Sequence, residues 1–360
     1  MRLILIRMAR FTRSSFFREA VTINDSLTLT VLPSVLLFGG IAALICLVEL
    51  LTDPSFTLGI EVSAFEIGGG VLGVLLVLRV NEGLTRWWEA RRLWGAINNQ
   101  CRNLAIDGLA YGPADPAWRR ALIHWTIAFA HACRRSLREE RYLPEAAALI
   151  GVDETVRLTE AHHMPSHASL ILARILWTAV ERLGMDRFVY LELDRERTQL
   201  IDHIGGCERI LTTPMPRALS VQIRRFLFLF LILLPFGLIP KFNAEAVRAA
   251  RQIDRAASAP GAPAKHEHEP NNNRVWFVVP ITMIVAFPLL ALDRIGSDLQ
   301  KPFWKRSIND LKLDTFTSKI EQTLLSLLDG PAEVVEFLLI DLDAPSPRGD
   351  GEVAKEVGPS

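Results

Sequence analysis

The chain has 360 residues, half of them apolar, and its 40 basic residues balance 40 acidic ones. A mean hydropathy of +0.23 is high for a soluble protein, yet 22% charged residues is too many for a chain buried wholly in a membrane. Zero net charge removes any global argument for nucleic acid as a partner. The four cysteines form no CxxC pair, so we expect buried thiols, no metal site and no cofactor.

In chain order, the first element is a basic segment, residues 1–26, which we expect to be an amphipathic helix on the cytoplasmic surface. Four apolar runs follow, two within residues 27–80 and two within 218–292. The first run has 22 residues without a charge, which is enough for a helix to cross a bilayer. The second run carries glutamates, and charges inside a span usually face a bundle interior or a water-filled cavity. The four spans are predicted at 27–48, 57–80, 226–240 and 275–292.

Polar segments separate and follow these spans. Residues 81–217 show helical periodicity and predict a large, Arg-rich helical domain. Residues 243–274 mix Ala, Pro, His and Asn, which predicts a flexible external loop. Residues 293–342 are predicted to form a C-terminal cytoplasmic helical part with an amphipathic helix at 318–328, and 343–360 are expected to be disordered. Because Lys and Arg near span ends mark the cytoplasmic side, both termini and the helical domain are expected there, in a multi-pass protein of the plasma (inner) membrane.

The second span has one face with a distinct composition. Glu66, Gly70, Val74 and Leu78 are spaced by four and therefore lie along one side of a helix. A carboxylate, then a glycine, then two apolar side chains would form a polar mouth leading to a hydrophobic constriction. Rings of carboxylates favour cations, and apolar constrictions gate by dewetting. The alternative is ordinary helix packing, with Glu66 paired to an arginine.

The helix that follows this face is rich in arginine and tryptophan. An interfacial belt at the membrane surface is the simplest interpretation of Arg86, Trp87, Trp88 and Trp94. No nucleophile-and-base pattern occurs in the sequence, so we predict no enzymatic activity and no catalytic residue.

Three separated segments, in the same order, resemble the bestrophin family. They are RWWEARRLWGAINNQCRNLA (86–105), GCERILTTPMPRALSVQIRRFLFLFLILLPFGL (206–238) and LDRIGSDLQKPFWKRSINDLKLD (292–314). The resemblance covers about residues 20–330. It implies an all-α homopentameric ion channel in the lipid membrane, with four spans per subunit, a large helical cytoplasmic domain and a central pore lined by the second span.

The resemblance also implies roles for residues. The family's hydrophobic pore neck falls on Gly70, Val74 and Leu78, although family members usually have large apolar side chains there, so Gly70 implies a looser outer end. A second, cytoplasmic aperture falls near Val189, with Leu191 as a neighbour. The family motif contributes Arg86, Trp87, Trp88, Glu89, Arg91 and Trp94.

Calcium dependence is not expected. Eukaryotic bestrophins hold calcium with an acidic run, and this chain has Lys305 and Arg306 where the carboxylates would be needed. Calcium requires several oxygen ligands, and only Asn309 and Asp310 remain.

The predicted function is passive conduction of small monovalent ions by a member of a chloride-channel family. Five copies of Glu66 near the pore mouth would raise the local cation concentration, which favours cations over anions. The alternative is a non-conducting membrane scaffold or signalling protein that binds partners through its Arg-rich cytoplasmic helices.

Overall fold

The computed structural model describes residues 27–51, 62–257, 272–305 and 309–330, and the statements below apply to these residues. The predicted segments 1–26 and 343–360 lie outside them. The described residues form α-helices, one 3-10 helix and no strand, in agreement with the all-α prediction. The helices are α1 (Leu27–Leu51), α2 (Val62–Tyr111), α3 (Pro116–Leu137), α4 (Pro144–Ile150), α5 (Val152–Glu160), α6 (Met164–Leu183), α7 (Arg187–Thr212), α8 (Arg217–Ala257), α9 (Val278–Leu299) and α10 (Leu313–Leu328), with the 3-10 helix at Asn272–Phe277.

Four of the described helices are long and apolar enough to cross a membrane, and they overlap the four predicted spans; residues 57–61 of the second predicted span lie outside the described part. The apolar stretches lie in Leu27–Leu51, Phe65–Tyr111, Arg217–Phe242 and Val275–Leu299. The span region of α2 packs against α8 and α9, and α1 packs against α9. The core between these spans includes Phe38, Leu72, Leu76, Leu231 and Ala286.

The prediction of a flexible loop over residues 243–274 is wrong in its first half. Helix α8 continues without a break to Ala257. Residues 243–257 are rich in Ala and Arg, which have high helix propensity, so the helix extends beyond the apolar run of residues 226–240. Residues 258–271 lie outside the described part of the chain.

A second and larger core joins the C-terminal half of α2 to α3–α7 and α10, and we call this assembly the helical body. Its helices begin and end at local signals. Asp115 accepts a hydrogen bond from the Trp118 amide at 2.6 Å to cap α3, and Asp186 caps α7 in the same way. Gly184 ends α6 in the left-handed region at φ 67°.

Ion pairs link the helices at one side of the helical body. Arg134, on α3, lies 2.8 Å from both Glu145 on α4 and Asp314 on α10. Of the predicted C-terminal helical part, residues 293–299 complete α9 and 313–328 form α10, while 331–342 lie outside the described residues. All four cysteines are free and buried, as the sequence predicted.

Candidate pore-lining helix

Helix α2 connects the span region to the helical body as one continuous rod. Its 50 residues have a length of about 75 Å at 1.5 Å per residue. Two of its glycines let neighbouring helices approach closely. A Cβ at Gly69 would lie 3.3 Å from the ring of Phe230, and one at Gly83 would lie 3.0 Å from the Gly296 carbonyl oxygen. These glycines therefore seat α8 and α9 against one side of α2.

The opposite side of α2 has no covering element in the described chain. Glu66 and Gly70 are exposed, and Val74 and Leu78 are 61% and 54% exposed. A Cβ at Gly70 would meet no heavy atom within 4 Å. We call Glu66, Gly70, Val74 and Leu78, with the exposed side chains that flank them, the open face.

The packing alternative does not hold within a single chain. Val74 and Leu78 are exposed, and Glu66 has no arginine partner among the described residues. The open face is also wider than the four-residue spacing predicted, because Ile67, Val71 and Val77 are exposed beside it. Such a surface can meet a pore, a second subunit or lipid.

The angular positions around α2 add a residue that the sequence reasoning missed. At 3.6 residues per turn, Val74 and Arg92 are five whole turns apart and point in the same direction. Glu66 lies roughly 80° around the helix from Val74, at the edge of the exposed arc. Arg92 is exposed and has no carboxylate partner among the described residues. Thus the charged side chain aligned with Val74 is a cation.

The composition of the Arg/Trp segment has a structural explanation. Arg86 donates to the carbonyl oxygens of Ile210 and, at 3.1 Å, of Gln300. The indole of Trp87 donates to the Asn309 carbonyl oxygen at 2.8 Å. These two side chains fix α2 to the end of α7 and to the segment between α9 and α10.

The next turns of the same segment continue this role. Glu89 forms an ion pair with Arg209 at 3.0 Å, which holds α2 beside α7. The Arg91 guanidinium lies 4.6 Å from the centre of the Phe316 ring on α10.

The interfacial-belt interpretation is therefore wrong for most of this segment. Trp94 is fully buried in the core of the helical body, and Trp87 is half-buried and hydrogen-bonded. Among the three tryptophans, only Trp88 has the exposure of a belt residue. Tertiary packing in the helical body decides the position of these rings.

A polar cluster lies on the covered side of α2, one residue beyond Leu78. Arg79 is 3% exposed, and its Nη1 lies 2.5 Å from Asp293 Oδ1 on α9. Arg79 Nη2 also donates to Ser297 at 3.2 Å. Arg224, on α8, lies 3.2 Å from Asp293 and donates to Ser297 at 2.7 Å. The cluster joins the ends of three spans, and charges at each span end were the signal that could have predicted it.

The two aperture residues have different surroundings. Val189 is half-buried and packs against the core of the helical body, whereas Leu191 is exposed. Phe188, immediately before them, is the more exposed large apolar side chain of this turn.

The segment that corresponds to a calcium clasp contains few ligands. Lys305 is exposed, Asn309 and Asp310 are half-buried, and residues 306–308 lie outside the described part. Burial raises the pKa of Asp310 above the usual value of an aspartate. The described residues contain no group of three or more His, Cys, Asp or Glu side chains placed to hold a metal ion.

Comparison with known proteins places this arrangement in a family. The model of the bacterial and fungal bestrophin proteins matches residues 8–250 and 272–326. A voltage-dependent anion channel-forming protein of Ralstonia nicotianae is 26% identical over 88% of this chain and 93% of its own. The voltage-dependent anion channel-forming protein YneE of Escherichia coli K12 is 27% identical over 80% and 84% of the two chains.

A solved structure shares the fold. The crystal structure of a bacterial bestrophin homologue from Klebsiella pneumoniae superposes with a TM-score of 0.68 over 83% of this chain and 98% of that chain, at 20% identity. The family model spans both the span region and the helical body, and the solved structure shares the fold over 83% of the chain. The chain therefore belongs to the bacterial and fungal bestrophin family.

Proposed function

We propose that this protein conducts small monovalent ions passively, through a pore lined by the open face of α2 in a homopentamer. One observation carries the proposal: Val74 and Leu78 are exposed in the single chain, although the same helix is closely packed on its other side. A span that leaves this face uncovered can line a shared axis when several copies assemble. The names of the curated relatives, which are channel-forming proteins, support the same class of function.

The proposed neck consists of Gly70, Val74 and Leu78, with Glu66 at the outer approach. Apolar side chains from several copies would surround a short constriction that water leaves easily, which gates the pore without chemistry. Gly70 has no side chain and widens the outer end. Leu191 and Val189 stay proposed as the second aperture, in the helical body.

The position of Arg92 favours anions as the conducted ions. Arg92 points in the same direction as Val74 and is exposed, so a ring of its copies would concentrate anions on the side of the helical body. The relatives' names refer to anions as well. The alternative prediction is a preference for cations, which would follow if the Glu66 carboxylates, at the edge of the exposed arc, face the pore.

Reversal potentials in planar bilayers under a KCl gradient separate the two predictions. For anion preference, the wild-type potential has the sign of the chloride equilibrium potential, and Arg92→Gln moves it toward zero while Glu66→Gln leaves it unchanged. A potential of the potassium sign that Glu66→Gln moves toward zero would establish the cation prediction instead. No unitary current from a correctly assembled oligomer would reject conduction and support the scaffold alternative.

We also propose that the helical body faces the cytoplasm and that conduction does not depend on calcium. Basic side chains are concentrated at the span ends beside the helical body, where positive charge marks the cytoplasmic side. A lysine at position 305 repels a divalent cation. Currents that rise steeply with calcium would contradict the second proposal.

A further inference from the structure

A cavity of about 570 Å³ opens where α8 begins and α9 ends, beside the buried cluster of Arg79 and Asp293. We call it the basic cavity. Its volume is within the roughly 300–1,000 Å³ of typical ligand sites. The lining side chains that matter here are Arg79, Arg217, Arg224, Arg294, Lys301 and Trp304.

The cavity has an excess of positive charge. Five basic side chains face two carboxylates, Asp293 and Asp298, so three positive charges are in excess. Arg217 and Lys301 have no carboxylate partner among the described residues, and the Lys301 ammonium lies 4.1 Å from the centre of the Trp304 ring. An anion in the cavity would offset this mutual repulsion.

The floor of the cavity contains an unsatisfied donor. Arg79 is 3% exposed, yet its Nε has no hydrogen-bond partner among the described residues. The buried Nε2 of Gln300, another lining residue, also has none. Buried polar groups are normally hydrogen-bonded, so these donors point to an acceptor that the described residues do not supply.

The position of the cavity along the membrane normal identifies the kind of anion that it would bind. Arg217 and Arg224 precede the apolar run of α8 that starts at Phe226, and Arg294 follows the apolar run of α9 that ends at Leu292. The cavity therefore lies at the level of the lipid headgroups, and Trp304, which is half-exposed, is the type of side chain found there. Basic pockets between spans at this level suit anionic headgroups.

We propose that the basic cavity binds the phosphate headgroup of an anionic phospholipid from the leaflet on the side of the helical body. The lipid would contact the pore-lining helix through Arg79, the residue after Leu78. Because the site depends only on the membrane position of the spans, it can exist whether or not the protein conducts ions.

The test is native mass spectrometry of the full-length assembled protein with phosphatidylglycerol or with phosphatidylcholine of the same chains. Wild type should bind phosphatidylglycerol more tightly. Arg217→Gln with Lys301→Gln should lower that affinity about thirtyfold, because each basic residue near the membrane surface contributes ~1 kcal/mol, and it should leave phosphatidylcholine binding unaffected. Arg120→Gln with Arg187→Gln, two exposed arginines of the helical body, is the matched control and should bind as wild type.

Other outcomes overturn the proposal. Equal binding of the two lipids by wild type, or unchanged phosphatidylglycerol binding by the double variant, would show that the cavity does not recognise the headgroup. Complete displacement of the lipid by an equal concentration of inorganic phosphate would assign the cavity to free phosphate. Loss of assembly with unchanged lipid binding would assign it to a subunit contact. Arg217→Lys with the native Lys301 should keep the affinity, which distinguishes loss of charge from misfolding.

Discussion

The ion cluster behind the open face is predicted to be essential for seating α2 on α9, and Asp293→Asn tests this. The Arg79 side chain is 2% exposed and that of Asp293 is 15% exposed, so the substitution leaves a buried guanidinium beside a neutral amide. Removing one partner of a buried pair costs about 3–5 kcal/mol. Asp293 also pairs with Arg224, whose side chain is more than half-exposed, so water compensates for most of the loss of this second ion pair.

The matched control is Asp298→Asn, on the same helix. Asp298 pairs at 3.3 Å with Arg294, whose side chain is 47% exposed, so we expect a cost of ~0–1 kcal/mol. At roughly 2 °C per kcal/mol for a large chain, Asp293→Asn should melt about 6–10 °C below wild type, and the control should melt close to it. Fluorescence-detected size-exclusion chromatography after heating measures both.

A rescue variant distinguishes charge from packing. Arg79→Met with Asp293→Leu removes both charges and keeps apolar volume, and such replacements are often neutral. We expect the double variant to recover most of the lost thermal stability. If Asp293→Asn melts together with Asp298→Asn, the buried pair does not hold α2, and this account of the span region is refuted.

Three further perturbations address the neck and the helical body. Val74→Ala with Leu78→Ala should raise the open probability in planar bilayers, because a less apolar constriction stays wetted; an unchanged closed fraction would count against a neck here. Gly70→Leu should lower the unitary conductance, because the new leucine side chain would extend into the open space beside α2. Gly40→Leu also places a leucine in open space, but on α1, and should conduct as wild type. Equal effects of the two substitutions would remove Gly70 from the pore. Burial raises the pKa of Glu145, but hydrogen bonds from two arginines outweigh it and hold the pKa at about 2. A carboxylate whose pKa is lower in the folded than in the unfolded state stabilises the fold above the unfolded pKa, here near 4.5, and this stabilisation is lost as the pH falls toward 2. The melting temperatures of wild type and Glu145→Gln should therefore differ at pH 6 and converge near pH 2.

The number and position of the spans could be predicted because long apolar runs have few alternatives to a membrane helix, even where glutamates interrupt the second run or the third is short. The continuity of α2 was also predictable, since no proline interrupts it from Val62 to Tyr111. The extension of α8 was not, because residues 243–257 share their polarity with the segment that follows, and polarity does not separate a solvated helix from a loop.

The candidate site was predictable only where it depends on helical periodicity. The spacing from Glu66 to Leu78 identified an exposed face, but a line of four-residue steps drifts around the helix, so the alignment of Arg92 with Val74 was missed. Charges at the span ends indicated a polar cluster, but they did not identify the individual partners of Arg79, because Ser297 is 218 positions away in the chain. Likewise, composition alone could not separate the buried Trp94 from the exposed Trp88.

If the open face of α2 borders the ion pathway, a charged group attached at Val74→Cys by thiol modification should obstruct conduction. The four native cysteines are buried, so a charged methanethiosulfonate should react at the new site alone. Leu44→Cys on α1 is the matched control, because Leu44 and Val74 are both 61% exposed in the single chain. We expect an irreversible fall in current for Val74→Cys and none for Leu44→Cys. An unchanged current after complete modification of Val74→Cys, verified by mass spectrometry, would contradict this expectation.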